Sequence, residues 1–389
     1  MASRRRICVV TGSRAEYGLL YLLIRDLHDD PEIELQLIAT GMHLSPEFGL
    51  TYRAIEKDGF CIDERVEMLV SSDTPTGVAK SIGLGIMGFA DAFARLAPDI
   101  IVVLGDRFEI LAAAQAALVA GIPIAHIAGG DTTEGSYDEA IRHSITKMAH
   151  LHFVTNEVAA QRVRQMGEEP ARVHNFGSPG IDGIRQMKLL GREDLARDLD
   201  CEFAARNLLI TFHPVTLEPG ASEKQFAALL GALDALGPDV GLFLTMPNAD
   251  TGGRRLTAMV HEYVASRPCA RAYVSLGQAR YLSLLAQVDA VVGNSSSGLY
   301  EAPSLKKATV NIGDRQTGRL IAASVINCEP ETNAIVAAIK AAFVLDCAHT
   351  VNPYGDGHAS ERIAAILKSI PDSRALLRKR FHMSGEGHG

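Results

Sequence analysis

The sequence predicts an α/β fold of two doubly wound domains with parallel sheets, and three observations predict it. Short β-branched runs alternate with helical stretches along the chain. Those runs carry few polar residues, as strands do when helices cover both faces of a parallel sheet. The alternation pauses at Ser178-Pro179-Gly180 and then restarts. With 389 residues, at roughly 100–200 residues per domain, each half is long enough to bury its own core.

In order, Ile7–Val10 reads as a strand and Ala15–Leu27 as a helix, with Leu19, Leu20, Leu23 and Leu27 at helical spacing. Leu35–Ala39 is a second strand, and Ile100–Leu104, with no polar residue, a third. Ile110–Ala120 is a helix, Ile122–Ile127 a strand, Glu139–Ala149 a helix, and Leu151–Thr155 and Val173–Phe176 are further strands. Beyond Gly180, Leu208–Phe212 is a strand and Phe226–Leu236 a helix. Val240–Thr245, Ala272–Val274, Ala290–Val292 and Thr309–Ile312 are strands. Thr332–Leu345 is amphipathic, Ala359–Ser369 is a late helix, and Gly385–Gly389 is expected to fray. The pattern fits two Rossmann-like halves, whose ligands sit at the C-terminal ends of the strands.

Composition removes several function classes. The net charge of −8 repels phosphate backbones, so no nucleic-acid partner is expected. The six cysteines are scattered without a CxxC pair, which reads as reduced thiols in a cytoplasmic protein. The first apolar run ends at Thr11-Gly12-Ser13-Arg14, too early for a signal sequence. The most membrane-like window, Ile110–Ala125, is broken by Gln115, Gly121 and Pro123, so it reads as a buried helix and strand rather than a span.

Five loops that follow strands are rich in Gly, Ser and charge. In Thr11-Gly12-Ser13-Arg14-Ala15-Glu16-Tyr17 a glycine turn opens a helix, and Arg14 offers a planar fork to phosphate or base; an ordinary β-α turn with a surface arginine fits equally. Gly105-Asp106-Arg107-Phe108-Glu109 sets Asp106 just past a buried strand, as an acid or base, as a helix cap, or as both. His126 to His143 holds four carboxylates within nine residues: Asp131, Glu134, Asp138 and Glu139, with Arg142 one turn beyond Asp138. Crowded carboxylates beside an arginine ionise at different pH, as acid/base work requires; a solvated acidic loop is the plainer alternative. His213 follows a strand in Phe212-His213-Pro214, either to donate to a diphosphate or as a structural residue. Gly293-Asn294-Ser295-Ser296-Ser297-Gly298-Leu299-Tyr300-Glu301 gathers hydroxyls and N–H groups for an anion, with Glu301 placed to grip a ribose diol. A metal on His126, Asp131, His143, His150 and His152 is not favoured, because no metal-ligand spacing is present.

Taken together, TGSRAEY at 11–17, GDRFE at 105–109, GGDTTEGSYDEAIRHSITKMAHLHF at 129–153, TFHPVT at 211–216, PNAD at 247–250, GNSSSGLYEAPS at 293–304 and NIGDRQTGR at 311–319 resemble the UDP-N-acetylglucosamine 2-epimerase family. The resemblance covers nearly the whole chain and is to the hydrolysing branch that feeds sialic- and legionaminic-type acid synthesis. It implies a glycosyltransferase-B-like fold with the active site in the interdomain cleft. The domains would be 1–178, carrying the catalytic carboxylates, and 179–370, binding UDP, with a terminal helix over 371–389 packing back on the first. The implied reaction is anti elimination of UDP from UDP-N-acetylglucosamine, then addition of water to the glycal to give N-acetylmannosamine. A UDP-2,4-diacetamido-trideoxyhexose is the alternative substrate, and a glycosyltransferase on the same fold is a more distant alternative. No cofactor, metal or membrane is implied, and a homodimer or homotetramer is expected.

By motif position, the resemblance implies that Asp106 and Asp138 are catalytic and that Arg142 orients them. Arg14, Arg107, His213, Asn248, Ser295, Ser296, Ser297, Gly298, Glu301 and Arg315 fall at UDP-binding positions, and Leu276 offers its backbone to the uracil. Non-hydrolysing and mammalian members of that family carry a glutamate where this chain has Ala128. The missing acid/base is therefore expected to be Asp131 or Glu134, with Asp131 first.

Overall fold

The computed structural model describes residues 4–70, 74–132, 137–214, 221–246, 253–273 and 276–383. The chain forms two compact units, Met1–Gly183 with Gly357–Gly389, and Ile184–Asp356.

Among the described residues, the first unit is built on parallel strands β1 Arg5–Thr11, β2 Ile33–Thr40, β3 Glu64–Val66, β4 Ile100–Leu104, β5 Ile124–Ile127, β6 Leu151–Val154 and β7 Val173–Asn175. Their order is β3-β2-β1-β4-β5-β6-β7. Successive residues of a strand face opposite sides, and the two cores follow that rule. Ile7, Val9, Ile100 and Val102 pack with Leu20, Leu23 and Leu27 of the helix Arg14–Asp29 on one face. Cys8, Val10, Ile101 and Val103 pack with Phe89, Phe93, Ala113 and Ala117 on the other. The helix Phe108–Ala120 is apolar nearly all round, and most of it is buried. Among the described residues, one helix, Pro75–Leu96, is long and apolar enough to cross a membrane by length and composition; its Phe89, Ala92 and Phe93 lie in the core.

The C-terminal segment corrects the expected boundaries. The helix Ala359–Ser369, expected in the second domain, belongs to the first unit, because Ile363 and Leu367 bury in its core. The N–H groups of Ala359 and Ser360 donate to the Asp182 carboxylate at 3.0 and 2.5 Å. At the other end, Arg5 Nη1 donates to the carbonyls of Leu367 and Lys368 at 2.7 and 2.6 Å, satisfying last-turn acceptors. The helix expected over 371–389 is absent from its described part. A short turn of 3₁₀ helix covers Ser373–Leu377. At its end the Arg172 guanidinium takes the carbonyls of Leu376 and Arg378 at 2.7 and 2.9 Å, which a continuing helix would need for itself.

In the second unit, the described strands are β8 Arg206–Thr211, β9 Val240–Thr245, β10 Ala270–Tyr273, β11 Ala290–Gly293, β12 Ala308–Ile312 and β13 Val325–Cys328. All pair in parallel, in the order β10-β9-β8-β11-β12-β13. In both units the strand order reverses at one point, between β1 and β4 and between β8 and β11. At such points the loops at the strand ends diverge and leave a crevice for a ligand.

Candidate active site

In the first unit, the polar residues gather at the ends of β1, β4 and β5. Asp106 follows β4, and its carboxylate accepts from Arg142 Nη2. Arg142 stands on the helix Tyr137–Met148, and its Nη1 donates to the Asp131 carbonyl at 2.7 Å. One nearly buried guanidinium therefore ties the β4 loop to the loop after β5. Asp138 lies in the first turn of the same helix, one turn before Arg142 and on the same face.

The Asp131 carboxylate is turned toward the loop after β6. It accepts from Thr155 Oγ1 at 2.9 and 3.0 Å and from Asn156 Nδ2 at 3.1 Å. Burial raises its carboxyl above the usual range, while Thr155 and Arg142 pull it down. Thr155 and Asn156 escaped the sequence reading, although they follow a strand as the other site loops do. Glu134 lies outside the described residues.

The first loop differs from a phosphate-binding turn. The Gly12 N–H donates to Glu16 Oε2 at 2.8 Å, so that donor is occupied. Burial pushes the Glu16 carboxyl up to about 8. Glu109 is fully buried and accepts from Arg107 Nε and Nη2 at 3.2 and 2.9 Å. Burial works against the Arg107 charge, but Glu109 above all, with Asp138, holds it cationic. Arg14 is exposed at the start of its helix. Chemically, this half is an acid-lined surface with two fixed guanidinium groups, suited to moving protons and stabilising a cation.

The second unit has a different character. Asn294, fully buried after β11, accepts from the His213 N–H at 2.7 Å and donates to the His213 carbonyl at 2.9 Å. Its own carbonyl accepts from Arg315 Nη1 at 3.1 Å and Gln316 Nε2 at 2.7 Å. His213, the serine loop and Arg315 are thus brought together, with Asn294 and Gln316 as supports that spacing alone did not single out. The helix Ser297–Tyr300 has only four residues, so the loop offers hydroxyls more than a helix dipole. Ser297 Oγ accepts from the Tyr281 hydroxyl at 2.7 Å. Glu301 is half-buried, and desolvation raises its carboxyl while Ser297 lowers it; its Oε2 is buried without a hydrogen-bond partner among the described residues. Gly298 is buried beyond the serines. Leu276 caps the helix Gly277–Gln287. Asn248 lies outside the described residues.

Among the described residues, no cluster of His, Cys, Asp or Glu is arranged to hold a metal ion. His150 Nδ1 accepts from the Ile124 N–H at 3.1 Å, and His152 Nε2 meets Glu168 at 3.0 Å, so both are engaged within the fold.

A family model for UDP-N-acetylglucosamine 2-epimerase matches residues 25–368. The GDP/UDP-N,N'-diacetylbacillosamine 2-epimerase (hydrolyzing) of Campylobacter jejuni is 42% identical, over 84% of this chain and 85% of its own. The UDP-N,N'-diacetylbacillosamine 2-epimerase (hydrolyzing) of Legionella pneumophila is 36% identical, over 96% and 98%. The UDP-N-acetylglucosamine 2-epimerase of Neisseria meningitidis is 30% identical, over 97% and 98%. A crystal structure of UDP-GlcNAc 2-epimerase from Neisseria meningitidis bound to UDP-GlcNAc has the same α/β fold, glycosyltransferase-B-like, with a TM-score of 0.75 at 19% identity over 93% of this chain and 99% of that one. On these matches the chain belongs to the UDP-N-acetylglucosamine 2-epimerase family, on the side of its hydrolysing members.

Proposed function

We propose that this chain hydrolyses a UDP-2-acetamido sugar with inversion at C2, releasing UDP. UDP-N,N'-diacetylbacillosamine, a UDP-2,4-diacetamido-trideoxyhexose, is the favoured substrate, ahead of UDP-N-acetylglucosamine. Two relatives bearing the diacetylbacillosamine name are 42% and 36% identical, against 30% or less for relatives named for UDP-N-acetylglucosamine, such as those of Neisseria meningitidis and Yersinia pestis.

One observation carries the chemical reading: Arg142 joins the Asp106 carboxylate, after β4, to the Asp131 backbone, after β5, beside the point where the strand order reverses. A carboxylate there takes the C2 proton as the C1–O bond breaks and its electron pair leaves with UDP. The C2 proton is weakly acidic, so C1–O cleavage runs ahead and the flanking carboxylates stabilise the oxocarbenium character. Water then adds to the glycal, its oxygen to C1 and a proton to C2 from the opposite face.

Asp106 and Asp138 are the proposed reacting carboxylates, and Arg142 orients them. Asp131 is the proposed further acid ahead of Glu134, because a half-buried carboxyl raised by desolvation suits a proton donor. On the second unit, His213, Ser295, Ser296 and Arg315 hold the diphosphate, Glu301 the ribose diol and Leu276 the uracil. Arg14, Arg107, Asn248, Ser297 and Gly298 complete the proposed UDP contacts. A cytoplasmic homodimer or homotetramer belongs to the same proposal, and a monomer by light scattering would count against that part.

Proton NMR in D₂O with each nucleotide sugar tests the reading. The expected products are UDP and a free 2-epimeric sugar with deuterium at C2, with higher kcat/KM for the diacetamido substrate. Retention of both nucleotide sugars unchanged on long incubation would end it.

A further inference from the structure

We infer that His126 is a positioning residue that fixes Asp106 against the helix bearing Asp138 and Arg142. The inference rests on the proposed reading of those three residues as the reacting set.

His126 lies fully buried on β5, between β4 and β6. Its Nε2 meets the Gly105 carbonyl, one residue before Asp106, at 2.8 Å. A carbonyl can only accept, so Nε2 carries the hydrogen and Nδ1 is left as an acceptor. Nδ1 lies 3.2 Å from Thr146 Oγ1. Thr146 is fully buried on the helix Tyr137–Met148, and the same hydroxyl is 2.9 Å from the carbonyl of Arg142, so its one hydrogen is shared between that carbonyl and Nδ1. One imidazole therefore spans from the backbone of the Asp106 loop to the turn that carries Arg142.

Two further features support a rigid link. A methyl group on Gly129 would come within 2.8 Å of Thr146 Oγ1 and 2.9 Å of His126 Nδ1, so the loop that leads to Asp131 closes tightly over this contact. Burial also pushes the imidazole down to about 3, which keeps it neutral with one donor and one acceptor near neutral pH. A group that touches no substrate can matter to turnover because a misplacement of about 1 Å at a reacting centre costs about a hundredfold in rate.

The test pairs isosteric variants. His126→Asn is too short to reach the Gly105 carbonyl; His126→Gln places an amide N–H near Nε2 and restores the donor. Thr146→Val removes the second contact and Thr146→Ser keeps it. The expected result is a kcat about tenfold or more lower in His126→Asn and Thr146→Val, with KM and UDP affinity by calorimetry unchanged, and recovery of most turnover in His126→Gln and Thr146→Ser. Wild-type kcat in His126→Asn, or a glutamine variant no better than the asparagine one at matched melting temperature, overturns the inference. If the His126 variants melt early, the Thr146 pair decides: equal turnover in its valine and serine forms also overturns it. Wild-type protein that releases UDP from neither nucleotide sugar refutes the proposed function instead, so the two failures are distinct.

Discussion

Arg142 is the residue whose replacement should cost most for the smallest change in shape. Its guanidinium reaches two acceptors in two directions, the Asp106 carboxylate and the Asp131 carbonyl. Lysine keeps the charge but presents a single point donor that cannot serve both. Arg142→Lys is expected to lower kcat by about 10²–10³, the cost of losing one preorganised donor, with UDP affinity by calorimetry unchanged; full turnover would remove Arg142 from the site. Glu16 gives a prediction about stability. Its carboxyl titrates near 8 when folded, against about 4.3 in an unfolded chain. Between those values the unfolded state has lost a proton that the folded state keeps, so this group's contribution falls as pH rises from about 4.3 to about 8. Glu16→Gln keeps an acceptor for the Gly12 N–H and removes the titration. Its melting temperature should fall less than that of the wild type between pH 5 and 8; parallel curves would show that Glu16 does not titrate there.

At the scale of elements, the sequence was legible where a run was short, apolar and closed by a turn. Ile100–Leu104 and Val240–Thr245 form strands with the expected bounds, and Ala359–Ser369 is helical as read. The helix Pro75–Leu96 was not legible, because Gly77, Gly83, Gly85 and Gly88 lower its intrinsic propensity. Packing explains Gly85: a methyl group there would come within 2.9 Å of the Ala112 side chain and 2.8 Å of Met68, so the residue that weakens the helix alone lets it approach its neighbour. Strand β13, four residues and mostly half-exposed, carries too weak a pattern to read. The site shows the same division. Loops after strands marked Asp106, Asp138 and His213 from the order of residues alone. Thr155 and Asn156, and the supporting contacts of Asn294 and His126, emerge only when strands distant in sequence become neighbours. The cap on Ala359–Ser369 is such a long-range pairing, and it can be measured. Asp182→Ala leaves two buried N–H groups without their carboxylate and is expected to cost about 1 kcal/mol, within the usual 0.5–2 for a lost helix cap. Chemical denaturation reads the loss, and Asp182→Asn, which retains an acceptor, should recover part of it.

For the whole molecule, the path of the chain matters more than the length of either half. The chain leaves the first unit after Gly183 and returns at Gly357, so the first unit is finished only by the last residues of the sequence. That return supplies Ile363, Leu367 and Ile370 to the core beside the helix Arg14–Asp29. It supplies the carbonyls that Arg5 binds and Lys379, whose ammonium meets the buried Glu168 at 2.7 Å. Glu168 also accepts from Lys147 at 2.7 Å and from His152 at 3.0 Å, so losing Lys379 leaves a buried carboxylate with fewer cations. Truncation after Asp356 should therefore damage the unit that lies earlier in sequence. Deleting two or three buried aliphatic side chains, at about 2–5 kcal/mol each, approaches the 5–15 kcal/mol that holds a typical domain together. The expected outcome is loss of the first unit's thermal transition and of all turnover, with UDP still bound, because the proposed UDP-binding residues from His213 to Arg315 lie within Ile184–Asp356. Calorimetry with UDP and circular dichroism on the truncated chain check this together. Full turnover after truncation would show that the first unit is complete without its C-terminal return.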